Sequence, residues 1–231
     1  MLRELKIFLI IELKCVLWLH KENGLKNLKI NKKKFIYLIS PNKLSAHFYK
    51  NLKKILLTGK VGFFQMRLKK YSLKKKILIG KKMKLICKQN NVKFLVNDDP
   101  LLAKKINADG CHLGQRDIDI NKARKIIGNK IIGISCHNSI KLAKKAIKGK
   151  ANYIAFGAFF STKTKKVKFK ATTKILNKAK KLTQAPIVAI GGININNYKK
   201  LLLNNASFLA ISGYVWNNKK FKPLKAIENL K

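Results

Sequence analysis

The stretch QMRLK at 65–69 spaces Gln65, Arg67 and Lys69 two residues apart. In an extended strand that spacing points all three side chains the same way. An amide and two cations on one face call for an anionic partner, unless Lys69 already belongs to a solvated loop. Asp98 and Asp117 suggest a metal. Each ends a short strand-like unit, and neighbouring strands lie about 4.8 Å apart, so the two carboxylates approach one site. Two carboxylates with room left for water and phosphate oxygens are what Mg²⁺ prefers. The hydroxyls and lysines of Ser161-Thr162-Lys163-Thr164-Lys165-Lys166 suit phosphate. Gly191-Gly192 and Ile211-Ser212-Gly213 let backbone N–H groups approach an anion, or else serve tight turns. Ser135 is positioned as a hydrogen-bond donor to ligand. No strong general base stands among these residues. The chemistry they fit is departure of a diphosphate held by a metal, Arg67, Lys69 and Lys165, with a separate phosphate-bearing nucleophile.

Every aspartate falls within residues 97–119. Besides Asp98 and Asp117, Asp99 precedes Pro100 and reads as a helix N-cap. Asp119 reads as a second cap, and Asp109 as a turn residue. His112 reads as a hydrogen-bonded structural histidine inside a buried strand. The adjacent Cys136 and His137 suggest a thiol nucleophile, but neighbouring strand residues face opposite ways.

The elements that must position these groups begin at residue 35. Eight short apolar runs predict strands at 35–40, 61–67, 93–98, 110–113, 131–136, 153–159, 187–192 and 208–215. Most are continuously apolar, as strands buried on both faces should be. Lys-rich segments of helical period lie between them, including 74–89, 120–127, 139–148 and 221–230. On the helix over 139–148, Ile140, Ala143 and Ile147 share a face. Ile77, Met83 and Ile86 do so on the helix over 74–89. Eight strand–helix units predict an α/β fold, a (β/α)8 TIM barrel, with chemistry at the C-terminal strand ends. The competing open doubly wound sheet lacks a GxGxxG after its first strand. Residues 35–231 are expected to form this single catalytic domain. Residues 1–34 are expected to be an N-terminal extension, too interrupted by Glu12 and Lys14 to span a bilayer.

The 231 residues include 53 Lys and Arg against 9 Asp and Glu, a net charge of +44, with 47% apolar residues to build a core. Only Arg3, Arg67, Arg116 and Arg124 are arginine. A reader of nucleic acid favours the guanidinium fork, so the lysine excess reads as a solvated surface and no specific nucleic-acid partner is expected. Four cysteines without a CxxC pair point to a reducing cytoplasm.

In order along 35–218, QMRLK (65–69), NDD (97–99), ADGCHLGQRD (108–117), GISCH (133–137), FGAFFSTKTK (156–165), AIGGI (189–193) and AISG (210–213) resemble the thiamine phosphate synthase (thiamine-phosphate pyrophosphorylase) family. The resemblance implies a (β/α)8 enzyme. It would join 4-amino-5-hydroxymethyl-2-methylpyrimidine diphosphate to a thiazole phosphate by a dissociative substitution, releasing pyrophosphate. It further implies that Gln65, Arg67, Lys69, Asn97, Ser135 and Lys165 contact the pyrimidine diphosphate, with Arg67, Lys69, Ser135 and Lys165 acting in catalysis. Asp98 and Asp117 would hold Mg²⁺, and Thr162, Thr164, Gly192, Ile211 and Ser212 would bind the thiazole phosphate. The partners are then small molecules, and a homo-oligomer is compatible with the reading. Ser161 stands where the family often has proline, and KVKFKATTKIL after it lacks the customary Gly and Pro. A thiazole tautomerase of the same family, with His137 in its chemistry, needs neither the aspartate pair nor the Arg67/Lys69 clamp. An idle polyanion-binding barrel leaves the aspartates unexplained.

Overall fold

The computed structural model describes residues 34–162 and 169–231. Residues 1–33, most of the expected extension, lie outside the described residues. Eight parallel strands close into a barrel in chain order: β1 Ile36–Ile39, β2 Val61–Met66, β3 Lys93–Asn97, β4 Gly110–Leu113, β5 Ile131–His137, β6 Tyr153–Phe156, β7 Ile187–Ile190 and β8 Phe208–Ile211. Seven helices follow the first seven strands: α1 Phe48–Leu57, α2 Leu73–Gln89, α3 Pro100–Lys105, α4 Ile120–Ile127, α5 Ile140–Lys148, α6 Thr173–Lys180 and α7 Tyr198–Leu203. A turn of helix, α8 Gly213–Trp216, and α9 Pro223–Glu228 complete the ring.

Alternation along each strand divides the core in two. Tyr37, Phe63, Leu95, Tyr153, Val188 and Phe208 fill the lumen. Ile36, Leu38, Phe64, Phe94, Val96 and Ile154 face outward and pack against the helices. Both faces are dry, which accounts for the continuous apolar runs. On α5 the expected face holds, with Ala143 and Ala146 buried and Ile140 and Ile147 partly so.

Six of the eight strands are shorter than their sequence predicts, β6 and β8 by the most. β6 stops at Phe156, where the chain leaves the barrel. β8 stops at Ile211, because Ser212 opens a helical turn in which Val215 and Trp216 donate back to its carbonyl. β2 ends at Met66, so Arg67 and Lys69 belong to the loop beyond it and not to a strand row.

Cations tie the barrel together through carbonyls. Arg124 donates to the carbonyls of Gly128 and Lys130 and to Asn152 Oδ1, the last at 3.0 Å. Lys60 Nζ reaches the carbonyls of Ile227, Glu228 and Leu230 at 3.4, 2.9 and 2.7 Å, holding the end of α9 under β2. Lys130 Nζ donates to the Ala108 carbonyl at 2.7 Å.

Gly133 leaves room for an aromatic ring. A Cβ there would lie 1.8 Å from Tyr153 Cζ. Gly133→Ala therefore displaces Tyr153 or β5, and we expect a loss of about 1–3 kcal/mol in urea unfolding.

Candidate active site

The C-terminal strand ends gather most of the expected residues. Lumen parity on β2, β3 and β5 carries Gln65, Asn97 and Ser135 to the barrel mouth, two residues above Phe63, Leu95 and Gly133. Gln65 is buried. Arg67 is held by its surroundings: its backbone N–H donates to Ser40 Oγ at 2.8 Å, and its guanidinium donates to Asn42 Oδ1 at 2.9 Å. Lys69 Nζ pairs with Asp98 Oδ2 at 2.8 Å.

Asp98 and Asp117 meet, as the pairing of β3 with β4 requires. Asp98 has φ +65, a left-handed conformation unusual for a residue with a Cβ, and its N–H is fixed to the His112 carbonyl at 2.8 Å. Asp117 Oδ2 accepts from the Gly114 N–H at 2.6 Å. The two carboxyls lie close enough to perturb each other's protonation. Burial raises the Asp98 carboxyl, but Lys69 and the contact with Asp117 outweigh it and hold it below its usual range. Burial raises Asp117, the Gly114 N–H opposes this, and the adjoining Asp98 pushes it further up. Lys69 offsets only part of the pair's negative charge, and a divalent cation would neutralise the rest. No third His, Cys, Asp or Glu joins them among the described residues. A bound Mg²⁺ would thus take its remaining oxygens from water and ligand, and the site fits it.

The other aspartates take the structural roles expected of them. Asp99 Oδ1 accepts from Leu102 N at 2.9 Å, and Asp119 Oδ1 from Asn121 N at 2.8 Å, both as N-caps. Asp109 Oδ2 accepts from Phe94 N at 2.7 Å at the opposite face.

The lumen holds a polar chain that the apolar reading of its strands missed. Gln65 Nε2 donates to the Tyr37 hydroxyl at 2.8 Å, Tyr37 and Tyr153 hydroxyls bond at 2.7 Å, Tyr153 bonds His112 Nδ1 at 2.8 Å, and His112 Nε2 bonds Ser135 Oγ at 2.8 Å. Burial lowers the imidazole to about 4, against the opposing pull of Asp98. His112 is therefore neutral, with one donor and one acceptor nitrogen. A signal was present in Tyr37 and Tyr153 themselves, since a phenol inside a strand buried on both faces must find a partner. Gln115, also unforeseen, donates to the Ser135 carbonyl.

At the other side of the mouth Gly191 and Gly192 have φ +107 and +64. A Cβ on them would lie 2.4 Å from Ala158 Cβ and 2.3 Å from the Ser161 carbonyl. Phe160 N donates to Gly191 O at 3.0 Å. The glycines thus seat the segment leading to Thr162. Ser212 Oγ donates to the Ser40 carbonyl at 3.3 Å, linking β8 to β1. The Ile211 side chain is buried in the outer layer, so any ligand contact it makes runs through its main chain. Thr164 and Lys165 lie outside the described residues.

A family model described as thiamine monophosphate synthase matches residues 36–215. The chain belongs to the thiamine monophosphate synthase family. It is 64% identical over 208 residues to a thiamine-phosphate synthase of Pelagibacter ubique (strain HTCC1062), covering 90% of this chain and 100% of that one. A thiamine-phosphate synthase of Erythrobacter litoralis (strain HTCC2594) is 39% identical over 187 residues, covering 79% and 88%. Among solved structures, thiamine phosphate pyrophosphorylase from Pyrococcus furiosus superimposes with a TM-score of 0.76 at 29% identity, over 85% of this chain and 93% of that one. These relatives are named as synthases, which are transferases, and the closed eight-stranded barrel is the TIM barrel that the sequence motifs imply.

Cys136 is buried, and burial pushes its thiol up to about 12. His137, beyond a bulge in the β5–β6 register, stacks on Phe169 at 4.6 Å. The pair is no thiolate–imidazole couple. We expect iodoacetamide at pH 8 to leave Cys87, Cys111 and Cys136 unlabelled in the folded protein and to label them after unfolding, as read by peptide mass mapping.

Proposed function

We propose that the chain catalyses thiamine phosphate synthesis, coupling 4-amino-5-hydroxymethyl-2-methylpyrimidine diphosphate to 4-methyl-5-(2-phosphoethyl)thiazole with release of pyrophosphate, or to its carboxylate form with release of pyrophosphate and CO2. The observation that carries this reading is the Asp98–Asp117 pair at the neighbouring ends of β3 and β4, joined by Lys69 and set beside the mouth-facing Gln65, Asn97 and Ser135. Catalysis is assigned to residues 35–231.

Asp98 and Asp117 hold Mg²⁺ in this proposal, and the bound ion supplies charge neutralisation for the diphosphate oxygens. Arg67, Lys69 and Lys165 bind the same diphosphate, and Ser135 donates to it. Arg67 arrives pre-oriented by Asn42 and Ser40, which lowers the ordering it must undergo on binding. Gln65 and Asn97 orient the pyrimidine. The bond between the pyrimidine methylene carbon and the diphosphate oxygen breaks first, and both electrons leave with the diphosphate. The aminopyrimidine stabilises the resulting cation, and the thiazole nitrogen lone pair captures it to form the new C–N bond. No proton is removed from carbon or nitrogen, which suits a site without a general base. Thr162, Thr164, Gly192, Ile211 and Ser212 bind the thiazole phosphate.

We place the enzyme in the cytoplasm. Cys87, Cys111 and Cys136 are free buried thiols, which suits a reducing compartment. No helix among the described residues is long and apolar enough to cross a membrane.

The test is product formation from the two substrates with Mg²⁺, followed by chromatography of thiamine phosphate and assay of pyrophosphate. Absence of both products under conditions where a known synthase works refutes the proposal. Chelation with EDTA should abolish turnover and added Mg²⁺ restore it. Asp98→Ala should lower kcat/KM by on the order of 100-fold with an unchanged circular-dichroism spectrum; full activity in that variant removes Asp98 from the metal site. Asn42→Ala should raise KM for the diphosphate substrate by about 3- to 10-fold with kcat little changed, because it loosens Arg67 without removing it.

A further inference from the structure

The chain of hydrogen bonds from Gln65 to Ser135 has a direction. Its interior members, Tyr37, Tyr153 and His112, each carry one hydrogen to donate and a lone pair to accept with. Such a chain is satisfied in two orders only. A mixed order sets two donors or two bare acceptors against each other in a buried place, which is costly.

In the first order Gln65 Nε2 donates to Tyr37, Tyr37 to Tyr153, Tyr153 to His112 Nδ1, and His112 Nε2–H to Ser135 Oγ. The serine hydrogen is then left to point at a ligand, and the amide carbonyl of Gln65 is turned away from Tyr37. In the second order Ser135 donates its one hydrogen to His112, and every link reverses. Ser135 then offers a ligand lone pairs alone. Gln65 accepts from Tyr37 through Oε1 and turns its NH₂ outward.

We infer that Tyr37, Tyr153 and His112 are positioning residues that lock the amide orientation of Gln65 to the hydroxyl orientation of Ser135, so that the site reads both ends of its pyrimidine substrate together. This inference rests on the function proposed above. A 4-amino group is a donor and selects the outward carbonyl of Gln65. A diphosphate oxygen is an acceptor and selects the outward O–H of Ser135. Both demands belong to the first order. A 4-oxo pyrimidine diphosphate places an acceptor where the amino group stood. It selects the NH₂ of Gln65, hence the second order, and so turns the serine lone pairs toward an anion. The wrong pyrimidine is penalised at its own ring and again at the diphosphate. Discrimination by a site that must satisfy buried polar groups is correspondingly large.

The experiment measures kcat/KM for the 4-amino substrate and its 4-oxo analogue, with thiazole phosphate and Mg²⁺, using the full chain. The variants are Tyr153→Phe, Ser135→Ala and the double variant. Phenylalanine keeps the ring that packs over Gly133 and against Phe63. The amino-to-oxo ratio should fall by at least about tenfold in Tyr153→Phe, and also in Ser135→Ala, although Ser135 stands at the far end of the chain. The double variant should show no further fall, because the second cut finds the ends already uncoupled.

A merely structural role for Tyr153 lowers both rates together and leaves the ratio alone. Should circular dichroism show Tyr153→Phe unfolded, Tyr37→Phe severs the same chain nearer Gln65, and Ser135→Ala tests the coupling from the mouth without altering the core. Ratios within about twofold of wild type in the folded variants, or a double variant equal to the product of the singles, overturn the inference while leaving the synthase reading in place. A wild-type protein that turns over neither pyrimidine overturns both.

Discussion

A phenol sealed inside an apolar lumen has to be hydrogen-bonded, and Tyr37 and Tyr153 meet that demand in each other. Much of the barrel interior follows from this contact. Tyr153 needs space, so Gly133 stands opposite its ring. Its oxygen needs a second partner, so His112 faces inward from β4 and stays neutral. Tyr37 needs one as well, so Gln65 is buried at the end of β2. The polar groups at the mouth extend a network begun in the core.

The acidic residues obey a different economy. Five aspartates crowd into residues 97–119, yet the structure disperses them. Asp99 and Asp119 cap helices, and Asp109 braces the N-terminal end of β3. Only Asp98 and Asp117 come together, because β3 and β4 are neighbours and β4 is short. The crowding in sequence comes from two compressed strand–helix units. The crowding in space concerns two carboxyls and one lysine.

The barrel was legible because parallel strands covered on both sides leave continuous apolar runs, and eight of them can be counted. Their ends were less so. The apolar run through Phe159 overshoots β6, and the run through Val215 overshoots β8, since hydrophobicity does not register where a chain turns out of a sheet. At the site, Asp98, Asp117 and Lys69 were readable from charge. Gln65 was readable from strand parity, and Ser135 from its place at the end of a strand. Tyr37 and Tyr153 were not, because an aromatic inside an apolar run looks like filler until its oxygen is considered. Ser40 and Asn42 were also missed. Their role depends on where the Arg67 backbone runs after β2 ends, which no local pattern records.

Arg124, Lys60 and Lys130 anchor the barrel to main-chain carbonyls where other proteins would use carboxylates. A carbonyl dipole does not titrate, so acid that protonates aspartates leaves these ties intact. Dissolved ions also compete for them less than for paired charges. The same ions screen the mutual repulsion of a surface crowded with lysine. In most proteins rising ionic strength erodes surface electrostatic attraction. Here, with 53 Lys and Arg against 9 Asp and Glu, most of what salt screens is repulsion, so the fold should gain cohesion as the medium becomes saltier.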